Sequence, residues 1–243
     1  MTKHRRSKRV HRRWWLYGLT RLLLVLLVLS IGLVLPFAWL PPPTSSTMLQ
    51  TYFARRAYAP EATGPAYAYQ WTSYADMSAH LPLAIIAAED QRFPAHYGFD
   101  LTEIQRALRD HFQGKNLRGA STITQQVAKN LYLWSDRSLL RKGLEAWFTI
   151  LLESLWSKRR ILEVYLNIAQ FGVGIFGVGA ASQHYFGKPP TAVTAEEAAL
   201  LAAVLPGPAI YRVDRPSQYV RQRQKWILQH MRQLGGVRYL DKL

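Results

Sequence analysis

AIIAAEDQRFPAHYGFD, residues 84–100, carries an apolar run, Ala84 to Ala88, straight into two adjacent acids, Glu89 and Asp90. Phe93, His96 and Gly98 follow at short intervals. With the preceding Leu-Pro-Leu, the periodicity predicts a helix, LPLAIIAAEDQRF, over 81–93. An acidic pair is ordinarily a solvated helix end. At a C-terminus, however, carboxylates oppose the helix dipole, so the pair asks for another reason. A Glu at the edge of an apolar wall suits a general base or acid.

Outward from this stretch the chain reads as helical. LTEIQRALRDHF spaces Ile104, Leu108 and Phe112 by four. STITQQVAKNLYL offers Ser121 as an N-cap. Residues 138–171 form one long helical pattern, apolar on more than one side and so expected to be partly buried. VTAEEAALLAAVLPG opens on a Thr194/Glu197 capping box and ends at Pro206-Gly207. The last helix opens at Pro216 and closes at Gly235-Gly236. Strand signals are sparse, with AYAYQW (66–71) as a short hairpin element.

The N-terminal part is of a different kind. Residues 1–13 hold seven Lys/Arg and no acid, and residues 22–40 hold no charge. Nineteen helical residues span about 28 Å, close to a bilayer's hydrocarbon thickness. Trp14, Trp15, Tyr17 and Trp39 flank the run as interfacial aromatics do, and Pro36 marks a kink or an exit. The run exceeds a signal-peptide core, and PPPTSSTM lacks a small-residue cleavage site, which favours an uncleaved anchor. The positive-inside rule then puts the N-terminus in the cytoplasm and residues 41 onward across the membrane. For a bacterial chain this means a single pass of the inner membrane with the domain on its periplasmic face. The expected division is a basic arm (1–13), an anchor (14–40), a linker (41–48) and one domain (49–243).

The net charge of +16 is concentrated in this anchor region. Residues 1–60 carry ten Lys/Arg and no acid, which leaves +6 for the remainder. Nucleic acid is therefore not an expected partner. A moderately basic outer domain fits lipid headgroups or a phosphate-bearing substrate. Without Cys there is neither a disulfide framework nor a thiolate metal site. No HExxH, Walker A or Rossmann glycine motif occurs, and no SxxK or KTG of a serine acyl-transfer domain. The Gly-rich GVGIFGVGAA (172–181) suits close packing better than phosphate binding.

Three further polar clusters accompany Glu89-Asp90. RGASTITQQVAKN (118–130) gathers hydroxyls, amides, Lys129 and Asn130. It is either a solvated helix start or a hydrogen-bonding platform on which Gln126 and Lys129 share a face. In RSLLRKGLE (137–145), Arg137, Arg141 and Glu145 recur at steps of four. They form either a solvated salt-bridge ladder or a cationic row able to hold a diphosphate. In SKRRILEVYLN (157–167), Glu163 and Asn167 read as an internal structural pair.

Together these segments resemble the family 51 glycosyltransferases, the peptidoglycan transglycosylases. The family's EDxxFxxHxG corresponds to Glu89–Gly98. Its GGSTITQQ-plus-KN corresponds to Gly119–Gln126 with Lys129-Asn130. RKxxE corresponds to Arg141–Glu145, KxxILExYLN to Lys158–Asn167, and a last block to GVGAASQHYFGK (177–188). Two positions depart from the pattern: Ala120 replaces a glycine, and Leu144 stands where many relatives carry Lys, so that Arg137 or Lys142 would have to compensate.

The resemblance implies a mainly α, lysozyme-like helical domain with a small jaw lobe, behind one N-terminal transmembrane helix. It implies polymerisation of lipid II into β-1,4-linked glycan with inversion and release of undecaprenyl diphosphate. The end of the chain at 243, with no transpeptidase module, implies a monofunctional enzyme. Glu89 takes the general-base position and Glu145 that of the second essential carboxylate. Lys129, Arg137, Arg141 and Lys142 take the diphosphate. Ser121, Gln126 and Asn130 take sugar or phosphate oxygens, and Arg106 the acceptor side. Asp90, Phe93, His96, Lys158, Glu163 and Asn167 take supporting roles. No cofactor is required, although a divalent cation, Mg or Mn, has a place at the diphosphate. Lipid II, the growing glycan and the membrane are the implied partners, with cell-wall synthesis or division proteins as further candidates. A lysozyme-like hydrolase and a glycan-binding scaffold are the rival readings.

Overall fold

A computed structural model describes residues 3–58, 65–113, 121–136 and 138–243. The chain divides into two compact units, Met1–Leu40 and Pro41–Leu243. The first is one helix, α1 (Lys3–Val34), whose apolar part extends through a 3-10 turn, Leu35–Ala38. The 22 residues Tyr17–Ala38 have a mean hydropathy of 2.5, long and apolar enough to cross a membrane. Regular α-helix stops just before Pro36, whose ring cannot continue the hydrogen-bond ladder. The side chains of Trp14 and Trp15 lie outside the described residues.

The second unit is mainly helical, as expected. It contains α2 (Ser46–Tyr58), α3 (His80–Glu89), α4 (Leu101–Phe112) and α5 (Ile123–Tyr132). There follow α6 (Leu139–Leu155), α7 (Lys158–Ile168), α8 (Gly177–Phe186), α9 (Ala195–Val204) and α10 (Gln218–Gln233). Helix α2 begins within the stretch expected as linker. Its start is held by the buried Ser45, whose hydroxyl accepts from Met48 N at 3.2 Å.

At the centre lies α3, buried continuously from Leu81 to Ala87. A helix apolar on every side can only be a core element. Helices α7, α9 and α10 pack around it, and α5 packs between α6 and α7. The Thr194/Glu197 capping box is present, with reciprocal bonds of 3.3 and 2.8 Å at the start of α9. Ser217, just after Pro216, caps α10, and Gly235 closes it at φ +101°.

Four local expectations are corrected. Helix α3 ends at Glu89 rather than at 93, because Asp90 turns to φ −161°, ψ 77° and sends its carboxylate to partners elsewhere. The N-cap of α5 is Thr122, not Ser121. Thr122 and Gln125 form a reciprocal capping box that takes the position, while Ser121 stays outside and exposed. The pattern over 138–171 is not one helix: Trp156 is extended and Ser157 caps a new one, accepting from Arg160 N at 3.2 Å. The strand in AYAYQW forms no hairpin. Its β1 (Ala68–Tyr69) pairs in parallel with β3 (Ile175–Phe176), which pairs antiparallel with β2 (Gln170–Gly172).

The glycines beside this sheet are sites of close approach. Gly177 has φ +79°, and a Cβ there would stand 2.6 Å from the Asn167 carbonyl oxygen; one at Gly179 would stand 2.5 Å from that of Gln70. Asn167 itself clips the chain before α3: it accepts from Thr72 N and donates to Thr72 O, both at 2.8 Å. Glu163 accepts from Tyr74 N at 2.7 Å and pairs with Arg160. The apolar row of α4 is not buried at its end, where Phe112 is 84% exposed.

Candidate active site

Asp90 is the joint on which the site is built. Its carboxylate receives His96 Nε2 at 2.9 Å and the backbone N of Ile123 at 3.1 Å. Ile123 is the first residue of α5, so the acid also sits at the positive end of that helix. One side chain therefore ties the end of α3 to the start of α5. Gly98 supports the same joint: its carbonyl accepts from the Thr122 hydroxyl at 2.6 Å. Its φ is +79°, and a Cβ would lie 2.5 Å from Thr149 Cγ2. Phe93 is fully buried, with Lys158 Nζ 4.4 Å above its ring and bonded to Glu153 at 2.8 Å.

Glu89 emerges from this joint with a side chain 15% exposed. Gln126 Nε2 donates to its Oε2 at 2.9 Å, and Arg223 Nη2 stands 3.4 Å from its Oε1. Arg223 comes from α10 and also reaches the Ala88 carbonyl at 3.5 Å. Sequence reasoning missed this residue. It lies 134 positions away in a segment rich in Arg and Gln, where no local pattern separates it from its neighbours.

Glu145 lies on α6 and is 3% exposed. Arg141 Nη1 donates to Oε2 at 2.7 Å, and Lys142 Nζ pairs with Oε1. Lys142 thus brings a cation to the carboxylate despite Leu144. Lys129, on α5, makes no ion pair within 4 Å among the described residues. Its pKa is lowered, first because surrounding protein withdraws water from the ammonium. Glu145 and, more weakly, Glu89 oppose that effect, while Arg141 and Lys142 add to it. Lys129 is therefore within electrostatic range of both carboxylates. Arg141 Nε is buried and has no hydrogen-bond partner among the described residues.

The remaining predicted residues are less closely joined. Asn130 offers its carbonyl to Thr47 Oγ1 at 3.1 Å, and its side chain is half-buried. Ser121 is exposed. Arg106 pairs with Glu103 on its own helix at 2.6 Å, both well exposed, and makes no described contact with Glu89 or Glu145. Arg137 lies outside the described residues.

Asp90, His96 and Asp100 bring one ligand atom each within 4.8 Å of one another, a buried group that could hold a metal ion. Three of the four carboxylate oxygens already accept hydrogen bonds, whereas His96 Nδ1 is buried with no partner among the described residues. Asp90 serves His96 and Ile123, whereas Asp100 Oδ1 accepts from Thr102 N, Glu103 N and Arg92. Around Glu145 the donor set does not fit a divalent ion, since one carboxylate is already bridged by two cations.

A family model described as Transglycosylase matches residues 60–232. The biosynthetic peptidoglycan transglycosylase of Stutzerimonas stutzeri (strain A1501) is 50% identical over 230 residues, covering 94% of this chain and 93% of that protein. That of Shewanella oneidensis is 51% identical over 219 residues, covering 90% and 92%. That of Xylella fastidiosa (strain M23) is 46% identical over 237 residues, covering 97% of each. A helical domain with two differently surrounded carboxylates thus coincides with a transglycosylase match over most of its length. The chain belongs to the transglycosylase family.

Proposed function

We propose that this chain is a peptidoglycan glycosyltransferase that polymerises lipid II. The observation that carries the reading is the contrast between its two carboxylates. Glu89 faces an amide and a single distant guanidinium, whereas Glu145 is enclosed by cations. In the proposed reaction Glu89 takes the proton of the acceptor GlcNAc 4-hydroxyl. The new O4–C1 bond forms as the bond from C1 to the diphosphate breaks, with inversion at C1. The electron pair leaves on undecaprenyl diphosphate, whose charge Lys129, Arg141 and Lys142 stabilise. Arg offers a forked donor and Lys a point charge. Arg137 belongs to the same row in sequence. Glu145 orients Arg141 and Lys142, and no metal is needed for that role. Gln126 serves Glu89, while Ser121, Asn130 and Arg106 are left to substrate oxygens at the rim.

A glycan hydrolase would have no use for such a cationic cradle, because its leaving group is an uncharged sugar. The proposed topology keeps residues 1–13 in the cytoplasm, spans the inner membrane within 14–40 and places the domain outside. Enzyme and lipid-linked substrates then share one surface, which raises their effective concentration. Cell-wall synthesis or division proteins are the partners that such a location favours.

Incubation of the purified full chain with lipid II, followed by sizing of the products, tests the reading. Polymer is expected. Fragments released from finished glycan would instead identify a lytic enzyme, and binding without either product would identify a scaffold.

A further inference from the structure

We propose that Tyr165 is a positioning residue that acts through Gln126 to keep Glu89 in its ionised, proton-accepting form. The proposal rests on the reading of Glu89 as the base. Tyr165 lies on α7 and is 1% exposed. Its hydroxyl is 3.1 Å from Gln126 Oε1, and the Nε2 of the same amide is 2.9 Å from Glu89 Oε2. Three helices, α7, α5 and α3, each contribute one member of this chain.

The direction of the bonds follows from what each group can do. An ionised carboxylate only accepts, so the amide must turn its NH2 toward Glu89. Its carbonyl oxygen then points back into the core, where an unmatched acceptor is costly. The Tyr165 hydroxyl supplies the donor. Burial, with Glu89 next in importance, holds the phenol well above its ordinary pKa, so the proton stays on the ring oxygen. The opposite amide orientation would set a carbonyl against the carboxylate, and only a protonated Glu89 could satisfy it. A donor at Tyr165 therefore biases the network toward the orientation that suits an ionised Glu89.

The other groups around Glu89 leave this role open. Arg223 on α10 faces the other carboxylate oxygen, and Lys129 on α5 acts only at a distance. Asp90 turns to His96 and Ile123, while Tyr239, near the C-terminus, donates to the Gln91 carbonyl at 2.7 Å. Helix α9 presents buried apolar side chains, Ala198 to Val204. A tyrosine needed only to fill the core would be equivalent to phenylalanine, so the hydroxyl is what the test must isolate.

The test is polymerisation of lipid II by the full chain across a pH series, with Tyr165→Phe, Gln126→Leu, the double variant and Glu89→Gln. Tyr165→Phe is expected to lower kcat about 3- to 10-fold, the worth of one hydrogen bond, with KM nearly unchanged. The acid limb of its pH–rate profile should move to higher pH, because the ionised base has lost support. Adding Tyr165→Phe to Gln126→Leu should cost nothing more, since the hydroxyl acts only through the amide. An unshifted acid limb, or full additivity in the double variant, would overturn the proposal. If Glu89→Gln is inactive while Tyr165→Phe is normal, the relay alone fails. If Glu89→Gln remains active, the base assignment itself fails.

Discussion

Replacing Gly98 by alanine separates two costs that the structure places at one position. At φ +79° an L side chain is held in the left-handed region, at about 1–2 kcal/mol. Its Cβ would also stand 2.5 Å from Thr149 Cγ2 and 3.1 Å from Glu153 Cγ. Thr149 cannot yield cheaply, because it is buried and its hydroxyl donates to the Glu145 carbonyl at 2.7 Å. Overpacking of this kind costs about 1–3 kcal/mol. Together Gly98→Ala should destabilise the domain by about 2–5 kcal/mol and lower its melting midpoint by roughly 5–15 °C. The second variant needed is Thr149→Ser, which removes the obstructing methyl and keeps the hydroxyl. In a double-mutant cycle followed by thermal unfolding of the full chain, it should recover the overlap part and leave the backbone part. A midpoint lowered by less than about 2 °C would refute the reasoning, as would complete recovery in the double variant.

Glu89→Gln should reduce polymerisation by about 10²–10⁴-fold, while binding of a diphosphate-mimicking antibiotic, measured by calorimetry, stays largely intact. Near-normal turnover would remove Glu89 from the chemistry. On the proposed reading Lys129 sets an alkaline limit: its lowered pKa means that the positive charge offered to the diphosphate is lost at a pH below the usual lysine value. The rate should fall as pH rises through that lowered pKa, and Lys129→Arg, which stays charged, should abolish the fall in the pH–rate profile. The same shift makes Lys129 unfavourable to folding at neutral pH and less so as pH rises toward 10.5, because the folded state binds its proton less tightly. Asn167→Ala should cost about 2–4 kcal/mol by leaving both polar groups of Thr72 unpaired, yet leave kcat almost unchanged once folded. A large loss of kcat at unchanged stability would contradict the clip.

Much of the helical framework was legible because it depends on local signals. The all-apolar α3 and the Thr194/Glu197 box need only neighbouring residues to be recognised. Competition between equally good local signals decided where reading failed. Ser121 and Thr122 are both capping residues, and only the partner at Gln125 selects Thr122. The long apolar pattern over 138–171 hides its break because Ser157 looks like any polar helix residue until its hydroxyl is seen to cap. Contacts between distant segments were out of reach altogether. Arg223 against Glu89, Tyr165 against Gln126 and β1 beside β3 are set by packing, and no spacing in one sequence encodes them. The cationic row, by contrast, needed only i, i+3 and i, i+4 geometry to bring Arg141 and Lys142 to Glu145.

That row also fixes a balance of charge. Among the described residues, Arg141, Lys142 and Lys129 around Glu145 leave two positive charges when all four groups are ionised. A diphosphate diester carries two negative ones. On the proposed reading the cradle is neutral with the diester bound; the undecaprenyl diphosphate released from it carries one further negative charge from the broken bond, and the over-positive cradle it would leave behind opposes its departure. Neutrality returns only when another diphosphate enters. Such a site favours occupancy by a growing chain over vacancy, and salt would weaken that preference by screening the exposed Lys142 before the more enclosed Arg141.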